Sequence, residues 1–250
     1  MVAVSDNHLR DKLQLLIAKS WIKIPDIKRY GGTGGPGKLL EDELGVDGGN
    51  DDLPDAGRWE LKYHSGTSLL TLLHKEALPA GHLDNLVQIY GWTNEINQMC
   101  FRHTISGVTG RGFYIKNEGS RISVHNRDCP EETLAYWPHD RIMNAFVAKL
   151  RHLVVVKGER QKNWVKYTSA YFFKEPQSSK LMDAIESGLI YIDFDAREKS
   201  PPSTALRNHG TKFRITFENL KLIYHDFEEL ESVSGEIIHG PESIQPNTRE

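Results

Sequence analysis

The sequence predicts a mixed α/β fold, a central sheet with flanking helices, and three observations lead to it. A helical-period stripe opens the chain, β-type apolar runs recur along its length, and no regular β-α-β alternation orders them. With 250 residues, 38% of them hydrophobic, the chain can bury a large core. The expected layout is one catalytic sheet plus a β-rich lobe built from segments on both sides of it.

Residues 6–19 read as an amphipathic helix, with Leu9, Leu13, Leu16 and Ile17 on one stripe and Ser5 as its N-cap. The glycine-rich turn 31–37 opens a second helix, 38–44, which stops at Gly45. A polar loop, 48–53, leads into a strand beginning at Trp59, and 68–74 reads as a neighbouring strand. Runs 99–106 and 111–116 flank a glycine-containing turn and suggest a hairpin. Residues 140–150 are helical in pattern, and 152–156 and 165–173 look like central strands. A helix over 178–187 ends at Gly188, and 189–193 is another strand. The Pro-containing stretch 198–208 is a long loop, 212–217 a last strand, and 219–230 a helix before a mobile tail.

Composition narrows the classes. No apolar run reaches membrane-span length, and residues 1–6 lack a signal-peptide pattern. Cys100 and Cys129 are too few for a disulfide framework, so a reducing cytoplasm is expected. The net charge of −3 argues against a protein that simply coats nucleic acid, but the charge is segregated. Residues 149–214 hold 13 Lys and Arg against 7 Asp and Glu, whereas 215–250 hold 2 against 8. That permits a basic cleft on an acidic body, or simply solvated faces of opposite sign.

The most informative stretch is Pro54-Asp55-Ala56-Gly57-Arg58-Trp59-Glu60-Leu61-Lys62. On a strand, Glu60 and Lys62 share one face and Leu61 takes the other. A hard divalent cation would suit Asp55 and Glu60 as oxygen ligands, with Lys62 steadying a water or a phosphate. A surface strand carrying an ion pair gives the same letters. Gly32 to Lys38 has the spacing of a phosphate loop, but Leu39 stands where that motif needs Ser or Thr. Its glycines read instead as letting the backbone approach a neighbour closely.

Taken in order, Gly37-Lys38-Leu39-Leu40-Glu41, Leu44-Gly45, Pro54-Asp55 and Glu60-Leu61-Lys62 resemble the MvaI/BcnI restriction endonucleases. These sit in the MutH-like branch of the PD-(D/E)xK nucleases, and the likeness is closest to BcnI. Ser68 to Lys75 (SLLTLLHK), Ala135-Tyr136 with the helix after them, and Arg207 to Ile215 (RNHGTKFRI) extend it over residues 31–224.

The resemblance implies a PD-(D/E)xK restriction-endonuclease-like α/β fold whose two lobes form a DNA-binding cleft. The catalytic lobe would comprise about residues 1–95 and 145–175, and the recognition lobe about 96–144 and 176–230. It implies a Mg²⁺-dependent type II enzyme cutting double-stranded DNA at a short GC-rich, CC-x-GG-like site, nicking each strand in turn as a monomer. Asp55 and Glu60 match the metal-binding acids, joined by the Leu61 carbonyl; Lys62 matches the catalytic lysine and Glu41 an extra acid. His74 matches a histidine at the centre of the recognition site and Arg214 a late arginine, with Lys75, Arg207, His209 and Lys212 as further DNA contacts. Lys212 replaces a histidine of BcnI, which leaves the central base pair open. A prokaryotic cytoplasm and a cognate DNA methyltransferase as genetic partner follow from the same resemblance. The alternatives are a MutH-like strand-nicking repair endonuclease and a non-catalytic sequence-specific DNA-binding protein.

Overall fold

The computed structural model describes residues 6–46, 54–107, 109–199 and 206–230; Ser5, the 48–53 loop, residues 200–205 of the expected 198–208 loop and the tail expected beyond residue 231 lie outside them. The elements begin with α1 (Asp6–Ala18), β1 (Ile22–Lys23), α2 (Gly35–Leu44), β2 (Glu60–His64) and β3 (Leu70–His74). Then come α3 (His82–Tyr90), β4 (Trp92–Thr93), β5 (Met99–Ile105), β6 (Phe113–Asn117), β7 (Arg121–Asn126) and β8 (Ala135–Pro138). They continue with α4 (His139–Leu150), β9 (His152–Gln161), β10 (Trp164–Pro176), α5 (Ser178–Glu186) and β11 (Ile190–Glu198). The last are β12 (Leu206–Asn208), β13 (Lys212–Ile215), α6 (Phe217–Leu220) and β14 (Tyr224–Leu230).

The chain divides into two compact units. The first holds residues 1–68, 152–174 and 226–250, the second 69–151 and 175–225. The boundary expected near residue 95 therefore falls between Ser68 and Leu69. The cause is strand pairing: β3 does not join the strand before it but pairs with β13.

In the first unit the sheet order is β1-β10-β9-β2, with β14 also on β10. β2 runs parallel to β9 and occupies the edge. The apolar stripe of α1 buries Leu9, Leu13, Leu16 and Ile17, as the spacing predicts. These meet Leu39, Leu40 and Leu44 of α2 and Leu61, Val154, Val156 and Phe172 of the sheet. α2 begins at Gly35, earlier than expected. A Cβ at Gly35 would lie 2.2 Å from the Tyr30 carbonyl oxygen, so glycine alone permits this backbone contact. The helix ends at Gly45, whose left-handed φ of 67° lets its N–H cap the last turn.

The second unit holds the sheet β3-β13-β11-β5-β4, with β12 on β11, and a smaller sheet β6-β7-β8. Residues 190–198 alternate strictly. Ile190, Ile192, Phe194 and Ala196 are buried, and the residues between them form the polar face. Phe194 meets Phe101 at 5.9 Å between ring centroids, and Trp137 meets Phe213 edge-on at 5.3 Å.

Three expectations are corrected. Runs 99–106 and 111–116 form strands but no hairpin: β5 has both edges taken by β11 and β4, and β6 pairs with β7. The helix expected over 219–230 is a single turn, α6, followed by β14. Its apolar spacing satisfies a helix, but adding a strand to β10 gives residues 224–230 their backbone partners instead. Helix α3 was not anticipated.

Candidate active centre and recognition face

A tight turn explains the spacing of the motif. Ala56 and Trp59 exchange backbone hydrogen bonds (2.8 and 3.0 Å) across Gly57-Arg58, and Gly57 takes a φ of 64°. In that register Asp55 falls opposite Glu60. The Asp55 Oδ2 accepts from the Leu61 amide at 3.1 Å, which ties the first acid to the strand carrying the second. Trp59 anchors the turn: it is buried, its Nε1 donates to Asp6 Oδ1 at 2.9 Å, and it packs edge-on against Phe172. Arg58 hydrogen bonds to the same Asp6 and holds that carboxyl below its ordinary range.

Glu60 and Lys62 share a face, as the alternation predicts, and Lys62 Nζ donates to Glu60 Oε1 at 2.5 Å. The Glu60 carboxylate is fully buried, whereas Lys62 keeps about a quarter of its side chain exposed. An extended residue points its N–H and C=O to the same side of the strand. The Leu61 N–H points at Asp55, so its carbonyl also faces the open edge of β2, beside the two acids. These are hard oxygen donors, the set a Mg²⁺-like cation takes; no group of three or more His, Cys, Asp and Glu that could hold a metal occurs among the described residues. Glu41 lies on α2, which packs beside β2, and there it accepts from Lys38 of its own helix at 2.7 Å. His64 is buried with its Nε2 2.8 Å from the Ser68 carbonyl.

The second unit gathers a different group on the polar face of its larger sheet. Antiparallel pairing sets Lys212 opposite both His74 and Asp193, and Arg214 opposite Tyr191 and Thr71. Arg214 pairs with Asp193 at 3.2 Å and donates to the Leu69 carbonyl at 3.0 Å. Lys212 lies 3.6 Å from Asp195 and 3.9 Å from Asp193, and Arg102 pairs with Asp195 at 3.1 Å. His74 is exposed at the end of β3, and the Lys75 amide bonds the Thr211 carbonyl at 3.0 Å. The His209 amide bonds the Asp195 carbonyl, and Arg207 is exposed on β12. The sequence reading therefore assembled the cations but missed Asp193, Asp195 and Arg102. The polar-apolar alternation of Ile190-Tyr191-Ile192-Asp193-Phe194-Asp195 was the signal available for the two acids.

The family model for the MvaI/BcnI restriction endonuclease family matches residues 11–224. No curated protein matches the chain. Among solved structures it is similar to a restriction endonuclease MvaI–cognate DNA substrate complex, with a TM-score of 0.76 and 27% identity over 90% of this chain and 99% of that one. It is also similar to restriction endonuclease MvaI in the absence of DNA, with a TM-score of 0.53 and 26% identity over 92% and 100% of the two chains.

Proposed function

The chain belongs to the MvaI/BcnI restriction endonuclease family, a family of type II site-specific deoxyribonucleases, and on that premise we propose how its own residues act. The reaction is Mg²⁺-dependent hydrolysis of phosphodiester bonds in double-stranded DNA at a short GC-rich site, one strand at a time by a monomer. The observation that supports it is the turn that sets Asp55 opposite Glu60 at an open sheet edge, with Lys62 on the same face.

Asp55, Glu60 and the Leu61 carbonyl would hold the cation, which supplies acidification of water and neutralisation of phosphate charge. Lys62 brings the positive charge that borders the attacking water, and its bond to Glu60 fixes where the ammonium stands. Burial of Glu60 keeps this pair rigid and its field strong, because little water screens it. Glu41, from the adjacent helix, is the further acid of the centre. Arg214, Lys212 and His74 read base edges, for which arginine is suited by its two-pronged donation to guanine O6 and N7; Lys75, Arg207 and His209 are additional DNA contacts. The cognate partner in the cell is a DNA methyltransferase protecting the same site.

Plasmid DNA incubated with the protein, with Mg²⁺ or with a chelator, tests this. Discrete double-strand fragments are expected only with Mg²⁺, and sequencing their ends reads out the site. Hemimethylation-dependent nicks would replace this reading with a MutH-like one. Specific binding without cleavage would replace it with a non-catalytic module.

A further inference from the structure

In the second unit, an open pocket of about 400 Å³ is lined by Gln98, Arg197, Glu198, Lys199 and Arg207. Arg197 of β11 and Arg207 of β12 lie directly opposite each other in antiparallel register. Residues so placed project from one face with their Cβ atoms about 5 Å apart, and two like charges there oppose folding. The carboxylates nearby are already engaged. Asp195 takes Arg102 and Lys212, and Asp193 takes Arg214. Glu198, which also lines the pocket, accepts from the Met99 amide at 2.9 Å. Among the described residues neither Arg197, Arg207 nor Lys199 has an acidic partner, and the linking stretch Ser200 to Ala205 contains no Asp or Glu. Gln98, buried in the wall, accepts from Asn94 Nδ2 at its Oε1, at 3.5 Å.

We propose that Arg197 and Arg207, with Gln98 and Lys199, form a phosphate site that grips the DNA backbone at the end of the polar face. Paired guanidinium forks match a phosphodiester's two free oxygens, and an anion between them turns the repulsion into attraction. The sheet then divides its labour. Its charge-compensated centre (Asp193, Asp195, Arg102, Lys212, Arg214) has donors and acceptors for bases, and its uncompensated end fixes register on the backbone.

This proposal rests on the reading of the chain as a DNA-cutting enzyme, and the test separates the two. Binding of duplex carrying the recognition site is measured against salt concentration, with divalent cations withheld so that nothing is cut. The protein is compared with R197Q/R207Q, which removes the charges at similar size, and with R197K/R207K, which keeps them. For R197Q/R207Q the slope of log affinity against log salt should shrink by about one to two, with the preferred sequence unchanged, while R197K/R207K keeps the slope. Between about 50 and 200 mM salt, a slope change of one makes the affinity loss about fourfold gentler. An R197Q/R207Q slope equal to that of the parent overturns the phosphate site, even if inorganic phosphate at matched ionic strength still binds the pocket. Failure of the unmodified protein to bind any duplex selectively would sink the parent reading instead.

Discussion

The two sheets solve the problem of holding charge in opposite ways. In the first unit the proposed centre sits on one edge strand and the turn before it: Asp55, Glu60, Leu61 and Lys62 lie within eight residues, and a two-residue turn brings them together. In the second, His74, Arg102, Asp193 and Lys212 come from four strands and meet only because those strands pair side by side. A centre proposed to hold a small cation can be encoded locally. A face proposed to match the spread of several base pairs needs an area of sheet, and so draws on distant segments.

Substitutions can break this contrast, and the largest effect belongs to the local centre. Asp55→Ala should lower cleavage by at least about 10³-fold while site-specific binding survives, as measured by plasmid digestion beside a gel-shift assay. Retained cutting would remove Asp55 from the centre. Lys62→Met leaves the buried Glu60 carboxylate without its ammonium partner and should cost about 3 kcal/mol in denaturant unfolding. Adding Glu60→Gln should recover much of that loss, and a double variant as unstable as the single would show that the pair does not act as a unit. In the second unit, Arg214→Ala should cost about 2 kcal/mol of discrimination between the site and single-base variants. Its cutting rate at saturating DNA should change little; a rate collapse would place Arg214 in the chemistry.

The smallest effect separates the units by acidity. Burial holds the His82 and His103 imidazoles of the second unit below the ordinary 6.5. Their neutral forms are favoured in the folded state, so the stability they contribute is complete above pH about 6.5 and is lost as pH falls through their lowered values. In the first unit the shifted acids are Asp6, Asp42 and Glu228, lowered chiefly by hydrogen bonds from Arg58, Arg29 and Arg10. Their contribution persists above about pH 4.5 and is lost only below it. Hydrogen exchange, corrected for intrinsic rate, should therefore rise in α3 and β5 between pH 7 and pH 5.5 before it rises in α1 and α2. Simultaneous loosening would contradict this.

The helix α1, the Gly45 stop and the Asp55 to Lys62 motif were legible because each depends on residues within a few positions of one another. The false hairpin over 99–116 and the false helix over 219–230 were also inferred locally, and there pairing with distant strands decided the outcome. Asp193 and Asp195 alternate visibly with apolar residues, but nothing in their own segment says that Lys212, Arg214 and Arg102 will stand beside them.

By itself, then, the sequence determined that Glu60 and Lys62 share one face of a strand with Leu61 on the other, because spacing along one strand fixes which side chains share a face. Only the tertiary structure decided which strands border one another: that Leu69 begins a second unit, that Arg214 is held by Asp193, and that Arg197 faces Arg207. Pairing partners are chosen by the burial and backbone hydrogen bonding of whole sheets, a sum over segments both near and far in the chain that no single segment carries.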